Sequence, residues 1–188
     1  MKTEQTAVEP YWYVLRDLKR PNAKNPAYRQ LQDERYGLSG KLFIPMMQRV
    51  YSRCGKKIVL EVPYMPDLLF VHENRLRLDP IVAEIPSLQY RFVKGCIQHD
   101  PMKVRDAEMQ SFIQAVSRSE KVEYFSLDEV SPQLYGRHIR IVGGRLNGCE
   151  GRLLTRRGSR HKRIIIDLAG LFCATVEVEP EYIQLVEE

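Results

Sequence analysis

Side chains able to do covalent or metal chemistry are few and dispersed in this chain. His72, His99, His138 and His161 stand far apart, and none sits beside a serine or cysteine in a recognisable nucleophile motif. Cys54, Cys96, Cys149 and Cys173 contain no Cys-x-x-Cys pair, so their spacing offers no zinc site, and they read as structural or incidental thiols. Neither a phosphate-cradling glycine loop nor a dinucleotide fingerprint is present. The expectation is a protein that is not an enzyme and carries no cofactor or metal.

Charge is the chemistry that remains. The net charge is +5, and its distribution is uneven. From Arg137 to Arg163 there are nine Lys/Arg and one acid, Glu150; from Ile164 to Glu188 there are six acids and no Lys or Arg. The stretch from Arg35 to Leu60 has no acid, yet holds Arg35, Lys41, Arg49, Arg53, Lys56 and Lys57. Two separate basic surfaces fit contact with a polyanion, and they fit equally a set of solvated loops.

Periodicity supplies the elements that would position these groups. Tyr11-Trp12-Tyr13-Val14-Leu15 reads as a buried strand, aromatic and β-branched and closed by Arg16-Asp17. Asn25-Pro26 followed by Tyr28, Leu31, Arg35 and Leu38 reads as an amphipathic helix ending before Gly40. Leu42 to Ile44, Ile58 to Val62, Leu68 to Val71 and Tyr90 to Val93 are further strands. Asp79-Pro80 is expected to cap a short helix running to about Glu84, and Met109, Phe112, Ile113 and Val116 carry the spacing of a helix packed on a sheet. Polar Ser117 to Lys121 and the breaker Ser131-Pro132 mark a linker over residues 118–134. Five short β-rich runs then follow, His138 to Val142, Arg152 to Thr155, Arg163 to Leu168, Ala174 to Val178 and Tyr182 to Val186. So many short strands in so few residues suggest a small closed barrel, which hides its own edges.

The second half carries the more specific pattern. Gly136, Ile139, Ile141, Gly144, Gly148, Gly151 and Leu153 resemble the KOW motif, in which alternating aliphatics form a strand and spaced glycines permit a tight return. KOW domains occur in NusG/Spt5 elongation factors and in several ribosomal proteins. The first half distinguishes them: Trp12-Tyr13-Val14, Phe43-x-Pro45, Arg53-Cys54-Gly55-Lys56-Lys57 and Pro63-Tyr64-Met65-Pro66-Asp67-Leu68-Leu69-Phe70-Val71 resemble, in order and spacing, landmarks of the NusG N-terminal domain. The whole looks closer to specialised paralogues of the RfaH and UpxY kind, and Pro101 to Val104 leading into Met109 to Ile113 resembles the UpxY-type proteins that act on surface-polysaccharide operons.

What the resemblance implies is an α+β protein: an N-terminal α/β sandwich with an antiparallel sheet flanked by helices (residues 9–117), a linker (118–134) and a five-stranded SH3-like KOW barrel (135–188). It implies docking on RNA polymerase through Val14, Met65, Leu68, Phe70 and Phe92. For Val14 and Phe70, mid-strand, a core role is the stronger reading; for Met65, beside Pro66, the interface is at least as strong. Arg49, Arg53, Lys56 and Lys57 would meet DNA or RNA of the elongation complex. Arg145, Arg156, Arg157, Arg160, Lys162 and Arg163 would meet a partner of the KOW domain, either RNA, a ribosomal protein or a termination factor. The implied activity is elongation and antitermination in the cytoplasm, with no membrane contact, since no run approaches the roughly 20 apolar residues of a spanning helix. The alternative is a ribosome-associated or RNA-binding KOW protein without polymerase binding.

Overall fold

The aromatic and branched run at the start of the chain forms a central strand, β1 (Tyr11–Asp17), in which Trp12, Tyr13, Val14, Leu15 and Asp17 are all buried. The computed structural model describes residues 9–19, 23–53, 55–93, 100–119, 121–126, 129, 135–154, 162–178 and 182–185. The chain divides after Arg105 into two compact units.

In the first unit β1 pairs antiparallel with β5 (Leu68–Glu73) on one side, β6 (Leu88–Tyr90) on the other, and also with β7 (Lys103–Val104). β2 (Leu42–Phe43) extends the sheet beyond β5. Strand alternation sends Tyr13, Leu15, Leu69, Val71 and Leu88 to one face. There they pack with Ala27 and Leu31 of α1 (Ala27–Leu31) and Leu78 of α2 (Arg75–Glu84) in one apolar core.

Both helices differ from the sequence expectation at their ends. α1 stops at Leu31 because Asp33 adopts an extended backbone and its carboxylate caps a separate 3₁₀ turn, Glu34–Tyr36, by accepting from the Arg35 N–H. Tyr36 and Leu38 keep their buried positions without a continuous helix. The start of α1 is closed from afar: the buried Asp17 carboxylate accepts the Ala27 N–H, an orphan donor of the first turn. α2 begins four residues earlier than Asp79, where Asn74 accepts from the Arg77 N–H as the cap. Pro80 therefore lies inside the helix, and Asp79 is mid-helix, bonded to Arg75 and to the Tyr90 hydroxyl.

The run Ile58 to Val62 is a strand, but it lies outside the main sheet. β3 (Met46–Arg53) and β4 (Lys56–Pro63) pair only with each other, in unbroken register from Met46↔Pro63 to Arg53↔Lys56, as a two-stranded ribbon.

By its contacts, α3 (Asp106–Arg118) opens the second compact unit. The stretch read as linker also contributes a strand, β8 (Val122–Phe125). Five strands follow, as expected: β9 (Tyr135–Ile141), β10 (Glu150–Leu154), β11 (Lys162–Leu168), β12 (Phe172–Val178) and β13 (Ile183–Leu185). The sheet thus has six strands and not five, in the order β13-β9-β10-β11-β12-β8, all antiparallel. α3 packs on this sheet through its apolar stripe: Met109, Phe112 and Ala115 are fully buried, and the Phe112 ring meets Phe172 of β12 edge-on at 5.4 Å. Gln114 and Arg118 donate to the carbonyls of Asn147 and Arg145, at 2.9 and 3.1 Å.

Candidate functional site

Met65 occupies the turn before β5, half-buried, with its carbonyl accepting the Leu68 N–H at 3.1 Å. Phe92 follows β6, 45% exposed, and bridges to Pro101. The other three apolar candidates are buried. Val14 and Phe70 are fully enclosed and sit directly opposite each other in β1 and β5, Phe70 meets the Phe43 ring at 6.1 Å, and Leu68 is 2% exposed. Of the five, only Met65 and Phe92 offer surface. They approach β1 from opposite sides, because β5 and β6 flank it.

The basic candidates of the first unit all map to the ribbon. Arg53 and Lys56 are opposite each other at its closed end, Lys57 pairs with Ser52, and Arg49 pairs with Leu60. Cross-strand partners share a face and successive residues alternate. Arg49 and Lys56 are therefore on one face and Lys57 on the other, and all three are exposed. Sequence reasoning missed what lies between them: Val50, Tyr51, Ile58, Val59 and Leu60 are each at least 41% exposed. Their branched and aromatic character reads as a buried strand, and the only sequence signal to the contrary is the cluster of cations around them.

In the second unit the glycines meet specific demands. A Cβ on Gly136 would stand 2.5 Å from the Leu153 carbonyl oxygen, and one on Gly151 at the same distance from that of Ile165, closer than any side chain tolerates. Gly144 and Gly148 have φ of +63° and +85°, in the left-handed region. Ile139 and Ile141 are buried on alternate positions of β9, and Leu153 is half-buried. Among the cations, Arg145 is exposed in the loop before Cys149, Lys162 is exposed at the start of β11, and Arg163 is largely covered and paired with Glu123 at 2.5 Å. Arg156, Arg157 and Arg160 lie outside the described residues.

Cys149 and Cys173 are buried, and burial pushes both thiols up, Cys173 to about 11, so neither is a ready nucleophile. Among the described residues no three His, Cys, Asp or Glu side chains gather as a metal site, and no helix is long and apolar enough to cross a membrane.

The chain is thus an α+β unit bearing an exposed two-stranded ribbon, followed by a unit of one helix and a six-stranded antiparallel sheet. The family described as "Transcription termination factor nusG" matches residues 10–113, more than half of the chain, and the chain belongs to that family. Members of the family are transcription factors without enzymatic activity. No curated protein matches the chain.

Proposed function

We propose that the chain is an elongation and antitermination factor whose first unit docks on RNA polymerase and disfavours pausing and termination. The carrying observation is that the family match, residues 10–113, takes in the first unit's sheet, its ribbon and the turn at Met65, and runs on into α3. Met65 and Phe92 supply the apolar contact, while Val14, Leu68 and Phe70 shape it from within the fold. Arg49, Arg53, Lys56 and Lys57 on the ribbon meet DNA or RNA of the elongation complex.

The second unit is read as a KOW domain that recruits a further factor, a ribosomal protein or a termination factor, with Arg145 and Lys162 its exposed cations. Two weak contacts on one chain gain from effective concentration, so neither surface has to be strong alone. The action is binding without chemistry, in the cytoplasm, and the resemblance to UpxY and RfaH paralogues points to surface-polysaccharide operons. The basic run from Arg137 to Arg163 favours one rival, a ribosome-associated RNA-binding protein.

Co-purification decides between them: tagged chain is expected to retain RNA polymerase, with or without a ribosomal subunit beside it. Met65→Asp should weaken polymerase retention by about tenfold or more while the protein stays soluble, because an uncompensated charge would be desolvated in an apolar contact. Retention of ribosomal subunits alone would overturn the reading.

A further inference from the structure

β8 is the only strand of the second unit's sheet, among the described residues, that precedes Tyr135, and it lies on the outer edge of β12. Its register is Val122↔Val176, Glu123↔Thr175, Tyr124↔Ala174 and Phe125↔Cys173. β12 does not depend on it for order. All seven residues of β12 pair with β11, from Phe172↔Leu168 to Val178↔Lys162, whereas β8 covers four of them.

The fit of β8 is incomplete. Of its four residues only Tyr124 is buried, its ring 6.0 Å from Phe172; Val122 and Phe125 are half-buried and Glu123 is exposed. Two ion pairs hold its sides, Arg163 with Glu123 at 2.5 Å and Lys121 with Glu177 at 3.9 Å. The Lys121 pair is at the limit of contact, and Lys121 is 70% exposed, where such pairs add little. Directly opposite Glu123, Thr175 is 1% exposed, and its hydroxyl finds no hydrogen-bond partner among the described residues. Glu123 reaches for Arg163 and leaves that hydroxyl unsatisfied. A buried polar group without a partner is a standing cost that a better occupant would remove.

We propose that the β12 edge is a strand-addition site for an extended peptide of a partner protein, and that β8 occupies it in cis as a displaceable competitor. The site selects its occupant through the chemistry β8 reveals. Backbone pairing to Cys173–Val176 gives affinity, and an aromatic at the Tyr124 position fills the space beside Phe172. An apolar residue at the Val122 position lies over Val176. Between these two, a Thr or Ser would bond the Thr175 hydroxyl across the strands, as hydroxyl pairs do in antiparallel sheets. The partner peptide therefore reads apolar, hydroxyl, aromatic. α3 is not displaced with β8, because Met109, Phe112 and Ala115 are fully buried and would be exposed by its release. The inference is independent of polymerase docking, which belongs to the first unit.

Native-state amide exchange on the full chain tests the first half. The amides of Val122–Phe125 are expected to exchange at least about tenfold faster than those of Ile164–Ile166 and Ala174–Val176, by local opening of β8. Equal protection across β8, β11 and β12 would show that the edge opens only with the whole unit, and would overturn the proposal. Peptide binding tests the second half. A fluorescein-labelled peptide spanning Ser119–Ser126 with the Glu123→Thr change is expected to bind the full-length Tyr124→Ser variant about tenfold more tightly than the wild-type chain, and about tenfold more tightly than its scrambled control. Equal affinity for the two proteins, or for peptide and control, overturns it. If Tyr124→Ser does not fold, the exchange measurement on the wild-type chain decides alone.

Discussion

Glu73 shows how a single residue ties the first unit together. It is buried at the end of β5, where its carboxylate takes Lys41 at 2.8 Å, Arg77 at 3.2 Å and the Asn74 N–H at 3.0 Å. Burial alone would raise its pKa; the Lys41 hydrogen bond, the Asn74 amide and the charges of Lys41 and Arg77 together outweigh that and hold the carboxyl below its ordinary value. A carboxyl depressed by folding stabilises the fold above its unfolded pKa, and the contribution is lost as pH falls through the folded value. Thermal unfolding from neutral to acid pH should therefore show stability declining below the ordinary carboxylate range. Glu73→Gln should cost about 1–3 kcal/mol at neutral pH and flatten that acid limb. A variant with unchanged neutral stability and an unchanged acid limb would mean that half-buried Lys41 and exposed Arg77 contribute nothing here.

At the scale of elements, α3 is the piece whose placement sequence alone did not reveal. Its helical spacing is plain from Met109, Phe112, Ile113 and Val116, but spacing says which face is apolar and not which sheet receives it. The structure gives that face to β12 through Phe112 and Phe172. Phe112→Ala should cost the second unit about 3–5 kcal/mol, as expected for a fully enclosed ring whose site cannot collapse against a sheet. Denaturation followed at resonances of the second unit measures it, and a loss below about 1 kcal/mol would place Phe112 outside the core.

The same limit explains the other differences. β1, β5 and β9 to β13 were legible because alternation, branching and glycine spacing are local properties. The early stop of α1 depends on Asp33 preferring an extended backbone, and the start of α2 on Asn74 capping better than Asp79; both are contests between neighbours that periodicity does not weigh. The strand over Ile58 to Val62 and the cations Arg49, Arg53, Lys56 and Lys57 around it were legible. That Val50 and Val59 would remain in solvent was not, because exposure is decided by what the rest of the chain leaves uncovered.

At the scale of the molecule, the cations among the described residues are arranged in two different ways, and the difference predicts which of them answer to salt. In the second unit Arg140 is bonded to Glu150 and Arg163 to Glu123, so part of the basic run is already neutralised within the fold. On the ribbon no acid stands opposite a cation: Arg49 faces Leu60, Lys57 faces Ser52, and Arg53 faces Lys56. Cations without a local acid are the ones free to displace counterions from a phosphate backbone, and each such contact steepens the dependence of affinity on salt. Replacing Arg53, Lys56 and Lys57 together by Ser should lower affinity for a nucleic-acid scaffold bound to polymerase. It should also reduce the slope of log affinity against log salt by roughly two to three units, at about 0.7 to 0.9 per contact. The matching control replaces Arg140 and Arg163 by Ser, where prior pairing with Glu150 and Glu123 predicts a much smaller change in slope. Titrations of labelled scaffold at four or five salt concentrations measure both. Equal slopes for the ribbon variant and the wild-type chain would return these residues to the role of a solvated hairpin, and a larger change in the control would move the nucleic-acid contact to the second unit.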